Sequence, residues 1–153
     1  TAVRMGQAIG AGRQRAVRRV GVAGGITATG WMSLTAMAFL SIPDPLVALL
    51  TDQPEVMACA KGLLTVAAAF AIFDAVQVAM AGALRGAGDI RVPFVLTVIG
   101  QWGFGFPVAY ALGLQTDLGV TGLWYGLTAG LMGISVVLSV RFWWLTGRPI
   151  KRL

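Results

Sequence analysis

The chain has 153 residues, 57% of them hydrophobic and only 12% charged, with a mean hydropathy of +0.78. Soluble domains carry about 25% charged residues, so the composition argues against one, and the lack of His removes the commonest general base and metal ligand. The net charge of +6 would suit nucleic acid if the basic residues were pooled on one domain face, but they flank apolar stretches instead.

Residues 1–19 hold five arginines among small residues, with Gly6, Gly10 and Gly12 along them. They predict a partial helix over 1–12, the tail of an earlier element, followed by a basic loop. The first residue is Thr, and no basic leader precedes a short apolar run; a piece of a longer chain without its own signal peptide is expected. The first apolar span, Val20–Ile42, has no charge and ends at Pro43 and Pro45. Asp44–Glu55 carries three acids and a third proline, and predicts a short helix lying at the membrane interface.

Gly62–Leu84, the second span, is 23 residues long between Lys61 and Arg85, and about 20 apolar helical residues cross a bilayer core. The turn Arg85–Arg91 follows, with Gly86 and Gly88 supplying the permissive backbone of a tight reversal. The third span is Val92–Leu114, which holds Gln101 and Pro107; a brief loop leads to the fourth, Leu118–Val140. With their flanks, the four predicted transmembrane helices cover approximately 16–42, 56–84, 92–114 and 118–145. The fold class is an all-α polytopic membrane protein, with no evident internal repeat.

Eleven of the twelve Lys and Arg fall on one side of these spans and Lys61 alone on the other, beside Asp44, Asp52, Glu55 and Asp117. Cytoplasmic loops carry the excess of Lys and Arg, so both ends of the chain are expected in the cytoplasm. This pattern accounts for the basic charge without nucleic acid. Trp143 and Trp144 on the basic side, and Trp124 with Tyr125 on the other, suit interfacial belts; Trp31 and Trp102 lie deeper, for packing or lining a cavity. Gly122, Gly126 and Gly130 recur every fourth position, and Gly21/Gly25 and Gly82/Gly86 repeat the spacing, which makes grooves that let helices approach closely. Some of those neighbours are expected outside this chain.

Asp74 sits near the middle of the second span. A carboxylate at that depth costs about 2.5–3.5 kcal/mol on insertion-based scales, and intramembrane acids mark ion or proton pathways. At about 1.5 Å per helical residue, Gln101 reaches a similar height on the next helix, and Gln77 follows Asp74 by one turn. Asp74, Gln77 and Gln101 are therefore the candidate cation- or proton-binding residues, since hard cations take oxygen ligands and burial raises a carboxyl pKa. No other metal site is expected beyond Na⁺ at Asp74. A purely structural Asp74, hydrogen-bonded to fix helix register, is the competing reading. For Thr29, Ser33 and Thr128, near the same depth, bonding back to their own helix carbonyls is expected.

Three stretches together resemble the multidrug and toxin extrusion (MATE) family in its C-terminal half. AVRMGQAIGAG at 2–12 is similar to the cytoplasmic end of the family's eighth helix. FDAVQVAMAGALRGAGDIRVPF at 73–94 resembles its tenth helix and following loop, and GLWYGLTAGL at 122–131 the glycine-rich start of its twelfth. The middle stretch is the specific one. The resemblance implies the end of helix eight and helices nine to twelve of a twelve-helix, two-lobe transporter, with 1–153 the C-terminal part of the C-lobe. It implies a secondary antiporter exporting cationic or amphipathic drugs for Na⁺ or H⁺, with Asp74 matching a carboxylate on the tenth helix. The aromatic hydroxyl that often stands one turn earlier is Phe70 here, and the loop's Thr is Ile90.

In that frame Arg85, Asp89 and Arg91 form a gating or latching cytoplasmic loop, or else a solvated turn. The implied partners are the rest of the same polypeptide, the bilayer and small organic cations, with no nucleic acid, no cofactor beyond the coupling ion and no enzymatic activity. The implied location is the bacterial inner membrane. A lipid-linked oligosaccharide flippase or polysaccharide exporter of related architecture is the alternative; the lack of Lys and Arg within all four spans counts against it.

Overall fold

Residues 1–147 are described by the structure, a computed structural model, and every regular element among them is helical. The order is α1 (Ala2–Gly10), α2 (Gln14–Ser41), α3 (Pro43–Ala48), α4 (Pro54–Gly86), α5 (Arg91–Val98), a π-helical segment (Ile99–Gly105), α6 (Phe106–Leu114) and α7 (Gly119–Thr146). Arg148, Lys151 and Arg152, counted above on the basic side, lie outside the described residues. α4, the continuous Arg91–Leu114 helix and α7 are each long and apolar enough to cross a membrane. α2 matches them in length, but the hydroxyls and glycines of its centre (Gly24, Gly25, Thr27, Thr29, Gly30, Ser33) leave it less apolar.

Helix boundaries follow from local chemistry. α3 and α4 each open on a proline, whose fixed φ suits the first turn and whose missing N–H is not needed there. α1 and α4 close on the same Gly-Ala-Gly sequence and the same double hydrogen-bond cap. At the end of α1 the Arg13 and Gly12 amides donate to the Ala8 and Ile9 carbonyls; at the end of α4 the Asp89 and Gly88 amides donate to Leu84 and Arg85. The closing glycines take φ of +69° and +83°, a left-handed conformation that side chains with a Cβ resist.

α4 is the central helix, with α2 on one flank and α7 on the other. The best-buried side chains, Met5, Val17, Leu84, Leu138 and Phe142, gather where α1, the start of α2 and the ends of α4 and α7 converge. This is the arginine-rich end. Phe142 fills a notch at Gly21, where an added Cβ would lie 2.3 Å from the ring. At the opposite end α3 is tied to α4 by an ion pair between Asp44 and Lys61, the one basic residue on that side. Both side chains are well exposed, and exposed pairs contribute about 0–1 kcal/mol. Lys61→Ala is therefore expected to shift the melting temperature by only a degree or two, and a larger fall would mean this end is covered.

The glycine stripe of α7 seats the helix that precedes it. A Cβ on Gly122 would lie 2.3 Å from the Leu112 carbonyl oxygen, one on Gly126 2.2 Å from the Ala109 backbone, and one on Gly130 2.5 Å from Gly105 Cα. The neighbour that the stripe accommodates is thus inside this chain. Facing it are Gly100, Gly105, Ala109 and Gly113, at steps of five, four and four residues. A step of five on an α-helix swings a residue about 140° off the face. The wider π turn, with its i→i+5 bonding, brings Gly100 back onto α7, where it meets Ile134. Pro107 explains where the widening falls, because its ring lacks an N–H and crowds the carbonyl four residues back, at Gly103.

Candidate functional site

Asp74 is half-buried on α4 and lines an open cleft of about 800 Å³ formed with α1 and α2. Ala75 and Val78 share its wall, Gly24, Thr27 and Trp31 of α2 stand opposite, and Arg4 and Arg19 lie toward the arginine-rich end. Among the described residues nothing hydrogen-bonds or ion-pairs with the Asp74 carboxylate. The Thr27 hydroxyl donates to the Ala23 carbonyl at 2.8 Å, which leaves its oxygen with acceptor capacity. Chemically this is a carboxyl group presented to a space of ligand size, in the range of about 300–1,000 Å³, with two arginines at one end. In the sequence Arg4 falls in the expected partial helix and Arg19 at the end of the basic loop; that they border the same cleft as Asp74 follows from the docking of α1 against α2.

Gln77 and Gln101 take other positions. Neither borders the Asp74 cleft, and each has a side-chain carbonyl oxygen buried without a hydrogen-bond partner. Gln77 is about 60° around α4 from Asp74, at roughly 100° per residue. Gln101 lies in the π segment and packs between Gly105 and Gly130, at the seam with α7. Phe70, one turn before Asp74, is turned toward α7 and meets Trp124 edge to face at 5.6 Å. The π segment interrupts what the sequence predicts as one regular span, Val92–Leu114. Its signal is the run IGQWGFGFP, three glycines in six residues ahead of a proline, and π turns inside helices recur at functional positions. Ser33 and Thr128 bond back to the Thr29 and Trp124 carbonyls at 2.8 and 2.7 Å.

The turn after α4 is joined to α7 by an ion pair. The cap that closes α4 projects Asp89 toward α7, where its carboxylate accepts a 2.9 Å bond from Arg141 Nε. The Asp89 side chain is only 11% exposed and that of Arg141 30%. Arg85 and Arg91 are exposed and take no part in this pair. Hydrogen bonds to charged groups contribute about 1.5–3 kcal/mol. Asp89→Asn is expected to destabilise the protein by about that amount, and a double-mutant cycle with Arg141→Gln should return most of the loss as coupling. Additive effects of the two substitutions would show that the pair is not formed. Beyond it, the Arg18 guanidinium lies 3.9 Å from the centre of the Trp143 ring, linking α2 to α7.

Residues 1–111 match the MatE family. The chain is 42% identical over 142 residues to the probable multidrug resistance protein NorM of Xanthomonas axonopodis pv. citri, covering 93% of this chain and 31% of that protein. It is 39% identical over 143 residues to the multidrug resistance protein PmpM of Pseudomonas aeruginosa (91% and 30%), and 39% identical over 145 residues to the multidrug resistance protein NorM of Burkholderia vietnamiensis (92% and 31%). The chain thus spans about 30% of the length of the curated relatives it matches. With its apolar helices, its arginine-flanked Gly-Ala-Gly turn and a family match over most of its length, this chain belongs to the MatE family of multidrug and toxin extrusion transporters.

Proposed function

We propose that the chain is the C-terminal third of a secondary antiporter that exports cationic or amphipathic drugs, with Asp74 as the group that the coupling ion, Na⁺ or H⁺, visits in each cycle. The observation that carries this reading is the carboxylate on an open cleft, unpaired among the described residues, at the middle of a helix long enough to span a bilayer. An acid kept there only to fix register would be expected to hold a hydrogen-bond partner. Gln77, the nearest amide along the helix, lies off the cleft, so among the described residues Asp74 alone carries the proposed ion site. Gln101 belongs instead to the seam with α7, and the Asp89–Arg141 pair holds the cytoplasmic turn between Arg85 and Arg91 in place during the cycle.

Ion binding drives export only by favouring one conformation over another. The protein performs no covalent chemistry in this scheme and acts in the bacterial inner membrane, with the arginine-rich side in the cytoplasm. The names of the relatives, given for multidrug resistance, support drugs as cargo. An oligosaccharide exporter is not favoured by them, nor by spans that lack Lys and Arg. The deciding experiment reconstitutes the full-length protein in vesicles and imposes a Na⁺ or a proton gradient separately. Efflux of a cationic dye is expected with one of the two, and no response to either gradient would overturn antiport.

A further inference from the structure

A second hollow, of about 490 Å³, runs between α2 and α7 on the side of the bundle away from Asp74. α2 and α7 each pack along α4 but meet each other only briefly, where Phe142 fills the notch at Gly21. Beyond that contact they part, and Val76 and Met80 of α4 form the floor of the resulting groove. Its wall is mostly apolar: of the three hydroxyls on it, those of Ser33 and Ser139 are spent on their own helices, donating to the Thr29 and Ser135 carbonyls, and Thr29 adds the third. Along α2 the groove extends from Val22 to Ser33, about 16 Å at the α-helical rise. Half of a hydrocarbon core roughly 30 Å thick is about the same length.

The mouth is charged. Arg18 lies one helical turn before Val22 on the same stripe of α2, and its guanidinium covers Trp143, which also lines the groove. Among the described residues no carboxylate pairs with Arg18. A cation resting on an interfacial tryptophan, at the end of an apolar slot one leaflet long, matches one ligand: a phospholipid with net negative charge. We infer that this groove is a binding site for an anionic phospholipid of the leaflet on the arginine-rich side, with the phosphate at Arg18 and one acyl chain between α2 and α7. Basic residues between membrane helices on that side are suited to such head groups. The inference rests on the membrane setting of the helices and not on the role of Asp74, so each stands or falls separately.

Gly30 supplies a clean test. It lines the groove, and among the described residues an added Cβ there meets nothing within 4 Å, so a larger side chain has room to start and Gly30→Leu is expected to occupy the slot. The full-length protein, purified in mild detergent, is incubated with phosphatidylglycerol or phosphatidylethanolamine, and bound lipid is counted by native mass spectrometry. The wild type should retain phosphatidylglycerol preferentially. Arg18→Ala should lower its occupancy about fivefold and erase the preference over phosphatidylethanolamine. Gly30→Leu should displace both lipids while the protein still elutes as a single folded species. Undiminished phosphatidylglycerol in Gly30→Leu, or equal retention of both lipids by the wild type, would overturn the site. So would thermal stabilisation by inorganic phosphate equal to that by the lipid, which would leave the acyl chain no part.

Discussion

Asp74→Asn is expected to cut ion-coupled drug efflux by the full-length protein at least about tenfold while leaving it folded and inserted. The substitution keeps the size and planarity of the side chain and removes only its charge. No hydrogen bond among the described residues depends on that charge, and a neutral amide costs less at mid-membrane than the roughly 2.5–3.5 kcal/mol of a carboxylate. Melting should therefore be unchanged or slightly raised. Transport should fall by about ten- to a hundredfold, the equivalent of a lost charge-assisted interaction of about 1.5–3 kcal/mol. Dye efflux from energised vesicles, read beside the melting curve and protein yield, separates the two effects. Full exchange in the variant would end the proposed role, and a loss of folded protein would mean the carboxylate is structural.

The second large effect is expected at Gly126, and there it falls on stability. A Cβ on this residue would sit 2.2 Å from both the nitrogen and the Cα of Ala109. Those are backbone atoms, so no rotamer change can make room and α6 must move away from α7. Overpacking costs about 1–3 kcal/mol where side chains can adjust; Gly126→Ala should cost at least that, and Gly126→Leu should prevent the folded protein from accumulating. Gly133 on the same helix is the control, since a Cβ there meets nothing within 4 Å. Gly133→Ala should be neutral or stabilising by up to about 1 kcal/mol, the helix-propensity difference. Equal melting temperatures for Gly126→Ala and Gly133→Ala would show that the close approach of the two helices does not exist.

The contrast between these residues also marks what the sequence could convey. Helical class follows from apolar runs of spanning length, and the need for a close neighbour is written in the four-residue glycine spacing of α7. Which helix fills that groove is not: the stripe specifies a shape, and both the preceding helix and one outside the chain would satisfy it. Depth is an expectation of the same partial kind. Counting residues places Asp74 and Gln101 at similar heights, because rise per residue is nearly constant. It cannot say how far a helix is rotated about its axis, and one π turn is enough to set Gln101 against α7. The Asp89–Arg141 pair was hidden by its 52-residue separation. The shared Gly-Ala-Gly ends of α1 and α4 carry little signal in the sequence, because the likeness covers three residues and is meaningful only as a cap.

The five-four-four spacing that registers the Arg91–Leu114 helix against α7 has a consequence for recombination. Removing any one residue from the π turn would straighten it into ordinary helix and swivel everything before it, including Gly100 and the Asp89 turn, relative to the last helix. Hybrids between relatives should therefore tolerate a crossover at residues 115–118 only when both parents carry the same surplus residue. Otherwise the final two spans must be exchanged together, as one cassette.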